Sequence, residues 1–173
     1  MEGLVVIEPR IFSDNRGAFL ETYQSEKYHA LGLPARFVQD NEAISRRGVL
    51  RGLHYQVGDM AQGKLVRVVT GRAFDVAVDI RPGSETYGAW YGIELSEENK
   101  KQLFVPRGFA HGYLALEADT ILCYKCDNFY SRDHEGGIRY DDPRIGITWP
   151  DVDGEVILSD KDLALPLFGE HRT

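Results

Sequence analysis

Short runs in which apolar and polar residues alternate make up most of the chain, and turn residues break them. The clearest is FDVAVDIR, residues 74–81, where Phe74, Val76, Val78 and Ile80 fall on one side and Asp75, Ala77, Asp79 and Arg81 on the other. That is the period of two expected of a strand, not the 3.6 of a helix. LVVIEPRIF, GAFLETY, ARFVQDNEA, GVLRGLHYQ, KLVRVVTG, AWYGIELS, KQLFVPRGF, GYLALEA, TILCYKCDNFY and IGITWP read as strands as well. Val, Ile, Phe and Tyr fill them, while Gly, Asp, Asn and Pro punctuate them. About ten strands at this spacing predict an all-β sandwich or barrel, and a jelly roll is an arrangement that manages its own edges.

Helical patterns are few. SEKYHALGL (25–33) predicts about two turns, with Ser25 as N-cap and Gly32 as the stop. SEENKKQ (96–102) suggests a single turn, and SDKDLAL (159–165) a short helix closed before Pro166.

Composition narrows the function classes. A length of 173 residues predicts one domain, 1–173, with 43% hydrophobic and 27% charged residues, as in ordinary globular proteins. A net charge of −7 argues against a broad nucleic-acid or membrane footprint, although a few arginines in a cleft still suit an anionic small ligand. MEGLVVIEPR lacks the basic and apolar regions of a secretory signal, and no apolar run approaches the ~20 residues of a membrane span, so a cytoplasmic protein is expected. The cysteines of CYKC (123–126) sit in a strand-like run. Their three-residue offset sends the sulfurs to opposite faces, and no second pair completes a zinc site.

Candidate chemistry centres on RGLHYQ, residues 51–56. Alternation sets His54 and Gln56 on the face opposite Leu53 and Tyr55. A lone inward histidine is ordinarily a satisfied core residue. Here Gln56, Lys64, Asp75, Asp79, His111 and Tyr124 are further candidates for inward polar groups. Strict alternation would place Arg51 away from His54, so an irregularity at Gly52 is predicted if both serve one cleft. Where a metal-binding jelly roll would carry H-x-H, the chain has His54-Tyr55-Gln56, and the other histidines are scattered, so no metal is expected. A base, a lysine facing a developing enolate and a tyrosine acid instead suit proton transfer beside a carbonyl.

Six stretches carry a family resemblance: QDN (39–41), VLRGLHYQ (49–56), QGKLVRVVTG (62–71), FDVAVDIR (74–81), LSEENKKQLFVPRGFAHGY (95–113) and LSDKDLALPL (158–167). In this order they resemble the dTDP-4-dehydrorhamnose 3,5-epimerase family, over about Glu8 to Leu167. The resemblance implies an all-β double-stranded β-helix, a cupin-like jelly roll with a few short helices. It implies a homodimer without cofactor, acting on dTDP-4-dehydro-6-deoxy-glucose at C3 and C5, both alpha to the C4 ketone. By the same implication His54 is the base, Asp162 its orienting carboxylate, Lys64 the enolate partner and Tyr124 the acid. Arg16 and Arg51 would hold the diphosphate. Glu21, Gln39, Asp40, Asn41 and His111 would add polar contacts, Tyr130 would stack on thymine, and Glu135 and Lys161 would contact the nucleotide-sugar. The tail after Leu167, FGEHRT, matches nothing in the family pattern and is expected to fray.

Three rival readings stay open at this level. A 3-epimerase would share the fold and toolkit but invert one centre. A non-catalytic sugar-nucleotide module would need neither base nor acid, and a metal-dependent cupin would need a converging ligand set.

Overall fold

The computed structural model describes residues 1–173 and contains two five-stranded antiparallel sheets packed face to face. The first sheet runs β1 (Val5–Ile7), β9 (Gln102–Val105), β6 (Lys64–Thr70), β11 (Thr120–Cys126) and β4 (Gln39–Ser45). The second runs β12 (Glu135–Gly137), β5 (Leu50–Gln56), β10 (Phe109–Ala115), β7 (Arg72–Asp79) and β8 (Trp90–Ser96). From β4 onward the chain crosses from one sheet to the other at nearly every turn, and only β7 and β8 are successive neighbours within a sheet. This is the jelly-roll wrap. A separate hairpin, β2 (Ile11–Asp14) with β3 (Gly17–Leu20), stands outside both sheets, and no helix is long and apolar enough to cross a membrane.

Both faces of each sheet find cover. Val66, Val68, Leu103 and Leu122 of the first sheet meet Ala73, Ala77, Leu95 and Tyr113 of the second between the layers. On the far side of the second sheet, Leu53, Tyr55, Val76, Val78 and Ile80 pack under Ile138 and Ile145. The apolar stripe of FDVAVDIR therefore faces outward beneath a covering segment, and its other side, with Asp75 and Ala77, faces the barrel interior. Full burial of a valine such as Val76 or Val78 contributes roughly 1.5–3 kcal/mol each. The inner face is free to carry polar chemistry because the outer one holds much of the apolar packing.

The helices form where expected, with one different cap. Helix α1 spans Ser25–Ala30, but the cap is Gln24, whose side chain accepts from the Lys27 amide at 2.6 Å. Its ring-bearing residue Tyr28 packs with Leu33, Leu65 and Phe104 on the outer face of the first sheet. Helix α2 spans Asp160–Leu163 and is capped by Ser159, while 97–99 is a turn closed by Ser96 and Asn99 and not a helix.

Other departures follow from local chemistry. KQLFVPRGF breaks at Pro106 into β9 and β10, and LVVIEPRIF breaks around Pro9 into β1 and β2, since proline cannot donate to a ladder. IGITWP is no strand; Ile145 and Trp149 instead pack as irregular cover, with the indole N–H donating to Tyr140 O at 2.9 Å. The glycine-rich β12 shows no apolar alternation in sequence and forms by pairing with β5. The tail does not fray. His171 is buried and stacks on Phe168 with ring centroids 5.0 Å apart, and Tyr55 Oη donates to Arg172 O at 2.7 Å.

Candidate active site

An irregular strand builds the centre of the site. His54 lies opposite His111, but Arg51 lies opposite Tyr113, so three steps along β5 match two along β10. The extra residue reverses alternation and brings Arg51 to the His54 face. Gly52 makes this feasible: its φ is +125°, and an added Cβ would lie 2.7 Å from Gly112 Cα. The irregularity expected at Gly52 is present, and Arg51 and His54 line the same cavity of about 330 Å³.

His54 Nε2–H donates to Asp162 Oδ1 at 2.6 Å, which leaves Nδ1 with the lone pair. Asp162 is set by its helix cap: Ser159 Oγ donates to Asp162 Oδ2 at 2.8 Å and accepts from the Asp162 amide at 3.1 Å. Burial alone would raise the Asp162 carboxyl, but the His54 and Ser159 hydrogen bonds outweigh it and hold the group below the ordinary carboxylate value. The carboxylate therefore stays charged beside the imidazole.

Lys64 and Tyr124 reach the same cavity from the first sheet. Lys64 Nζ donates to His54 O at 3.4 Å and lies 5.9 Å from the Tyr124 ring centroid. Burial lowers the Lys64 ammonium and raises the Tyr124 phenol. The last wall is His111, whose Nε2 sits 2.9 Å from Asp75 Oδ2 with both side chains buried. An imidazole base, an ammonium and a protonated phenol around one cavity can remove a proton, hold a developing oxyanion and return a proton.

A smaller hollow of about 130 Å³ adjoins this cavity through His54, Lys64 and Tyr124. Gln39 Oε1 accepts from the Tyr130 amide at 3.1 Å, and Gln56 Oε1 from the Ser131 amide at 2.9 Å. Tyr130 is left with an exposed ring at the rim. Lys161 Nζ pairs with Glu135 at 2.8 Å across the mouth, and Asn41 Nδ2 points at Cys126 Sγ at 3.7 Å.

Three expected residues lie elsewhere in the single chain. Arg16 sits at the tip of the β2–β3 hairpin, paired with Asp14 at 2.6 Å. Glu21 pairs with Lys27, and Asp40 with Lys125. Asp79, a candidate inward group, is consumed by Arg81, Ser84 and Thr86. Ser159 was missed, although its position three before Asp162 is the spacing of an N-cap. Asp75 was recognisable as inward, but nothing in sequence paired it with His111.

A sequence profile of the dTDP-4-dehydrorhamnose 3,5-epimerase family matches residues 1–170. The chain belongs to this family. It is 51% identical over 94% of its length, and 88% of the other, to the dTDP-4-dehydrorhamnose 3,5-epimerase of Methanothermobacter thermautotrophicus. It is 50% identical to that of Escherichia coli at the same coverage, 94% and 88%. Among solved structures, the dTDP-6-deoxy-D-glucose-3,5-epimerase of Legionella pneumophila in complex with dTDP-4-keto-L-rhamnose superposes with a TM-score of 0.94. That likeness is at 49% identity and covers 98% of this chain and 90% of the other. Epimerases of this family thus share the fold on which the His54 cavity is built.

Proposed function

We propose that the chain, working as one domain over residues 1–173, is a dTDP-4-dehydrorhamnose 3,5-epimerase. It would convert dTDP-4-dehydro-6-deoxy-D-glucose to dTDP-4-dehydro-L-rhamnose. The observation that carries this reading is that the His54–Asp162 pair, Lys64 and Tyr124 line one cavity. His54 Nδ1 takes the proton from the carbon alpha to the C4 ketone, and the C–H electron pair moves into the enolate. The enolate oxygen faces the Lys64 ammonium, and Tyr124 gives its phenolic proton to the opposite face of the same carbon. His54 then releases its proton to solvent and Tyr124 takes one back, and repetition at the second alpha carbon completes the double inversion. The ketone acidifies both C–H bonds, so positioning, a base, an acid and an oxyanion partner suffice.

In this reading Arg51 takes the diphosphate, Tyr130 stacks on thymine, and Gln39, Asn41, His111, Glu135 and Lys161 surround the nucleotide-sugar. Arg16, Glu21 and Asp40 lie outside the cavity of their own chain, and Arg16 projects on a hairpin whose paired Phe12 and Phe19 are exposed. A homodimer in which this hairpin covers the partner's site accounts for both facts. A cytoplasmic place of action goes with a nucleotide-sugar substrate.

The test is turnover in deuterated water with mass and NMR analysis of the product. Deuterium at both C3 and C5, lost with Tyr124→Phe, is the expected result. Label at C3 alone would reduce the protein to a 3-epimerase, and unlabelled product would end the proton-transfer reading.

A further inference from the structure

The tail expected to fray is instead tied to the wall of the site. Phe168 N donates to Asp142 Oδ2 at 2.7 Å, and His171 lies stacked on Phe168, edge-on to Tyr55 at 6.3 Å. Two bonds then join the tail to working elements. Tyr55 Oη donates to the Arg172 carbonyl at 2.7 Å, and the Arg172 guanidinium donates to the Asp133 carbonyl. Tyr55 sits between His54 and Gln56, and its ring presses on Gly136, where a Cβ would come within 2.3 Å. Asp133 belongs to the short turn between Tyr130 and Glu135. That turn is otherwise held by Gln56, through the Ser131 amide, and by the Val57 amide on His134 O at 2.9 Å.

We propose that Arg172 and Tyr55 are positioning residues, and that the C-terminal segment is a strap setting the turn that carries Tyr130 and Glu135. The proposal rests on the reading that these two residues contact the nucleotide. The strap holds the turn in its binding geometry before ligand arrives, so less freedom is lost on binding. The catalytic groups also have anchors outside the strap: Asp162 in its Ser159 cap, His54 in the pairing of β5 with β10 as well as with β12, and Tyr124 within β11. Loss of the strap therefore weakens nucleotide binding and spares the chemical step.

The experiment uses the full-length chain with Arg172→Ala, Arg172→Lys and Tyr55→Phe. It measures KM and kcat for the dTDP-4-keto sugar, calorimetric Kd for dTDP, and melting temperature. Arg172→Ala and Tyr55→Phe should each raise KM and Kd about fivefold with kcat within about twofold, and Arg172→Lys should recover most of the loss, because an ammonium can still donate to the Asp133 carbonyl. A lower melting temperature with unchanged KM and Kd would make the tail merely structural and overturn the proposal. A fall in kcat at constant KM would overturn it too. Wild-type protein that bound no dTDP would instead overturn the underlying functional reading, and the strap with it.

Discussion

Two imidazole–carboxylate pairs face the same cavity, and they differ in access. His54 and His111 are cross-strand partners on β5 and β10, each with Nε2 on an aspartate. The His54 side chain is 38% exposed over a carboxylate at 5%, whereas His111 is 7% exposed over one at 0%. Their supports differ as well. Asp162 comes from the short helix α2, 108 residues away in sequence, while Asp75 comes from the neighbouring strand β7 of the same sheet. The lesson is that pairing with a carboxylate does not by itself make a base. His54 has a free nitrogen with room for substrate and solvent, so it can take up and release a proton. His111 is locked in the sheet and suits a fixed hydrogen-bonding role.

The strongest way to break this contrast is to remove each imidazole. His54→Ala should lower kcat by about 10³-fold, within the usual range for a general base. His111→Ala should cost about tenfold in kcat/KM, mostly in KM, as for one lost buried hydrogen bond. Equal losses in kcat would show that exposure does not separate the two. A folded-state check by near-UV circular dichroism guards the comparison.

A weaker effect is the basic limb of the pH–rate profile. Burial holds Lys64 below its ordinary 10.5 and Tyr124 above its ordinary 10.0. Burial disfavours the charged form of each, moving the loss of the ammonium proton to lower pH and that of the phenol to higher pH, and a basic limb of kcat/KM set by Lys64 is the expected outcome. Lys64→Arg should push that limb to higher pH, while Tyr124→Phe should lower the plateau and leave the limb where it is.

The smallest effect is on acid stability. The Asp162 carboxyl is depressed below its ordinary 3.8 in the folded chain. A group depressed on folding contributes stability that is fully present above the unfolded value and is lost as pH falls through the folded one. Denaturant midpoints for the wild type should therefore drop below about pH 4, and Asp162→Asn should flatten this part of the drop. An unchanged slope would mean that the His54–Asp162 pair contributes to positioning and not to stability.

Much of the architecture was legible because strand alternation is a local property. The sides of FDVAVDIR were assigned correctly, as were the strand identities of RGLHYQ and TILCYKC and the short helix before Pro166. Burial was harder to read. Asp75 and Asp79 of FDVAVDIR were both candidates for the interior, yet only Asp75 meets His111 there, and nothing local showed that the apolar stripe would lie under the segment around Ile138 and Ile145. IGITWP had the composition of a strand, but no open sheet edge received it. The tail had no pattern at all, and its order comes from Tyr55, Asp142 and Asp133, none of which is near it in sequence.

The sequence determined which groups were available: an imidazole, a lysine and a tyrosine on strands, a short helix before Pro166, and a glycine where β5 had to slip register. Alternation and capping act over a few residues, so these assignments needed no knowledge of the rest of the chain. Only the tertiary structure decided that Asp162 meets His54 and not another partner, that Arg51 turns to the His54 side, and that Arg16 stands apart. Those outcomes depend on which sheet edges and faces close against each other, and local periodicity carries no record of that closure.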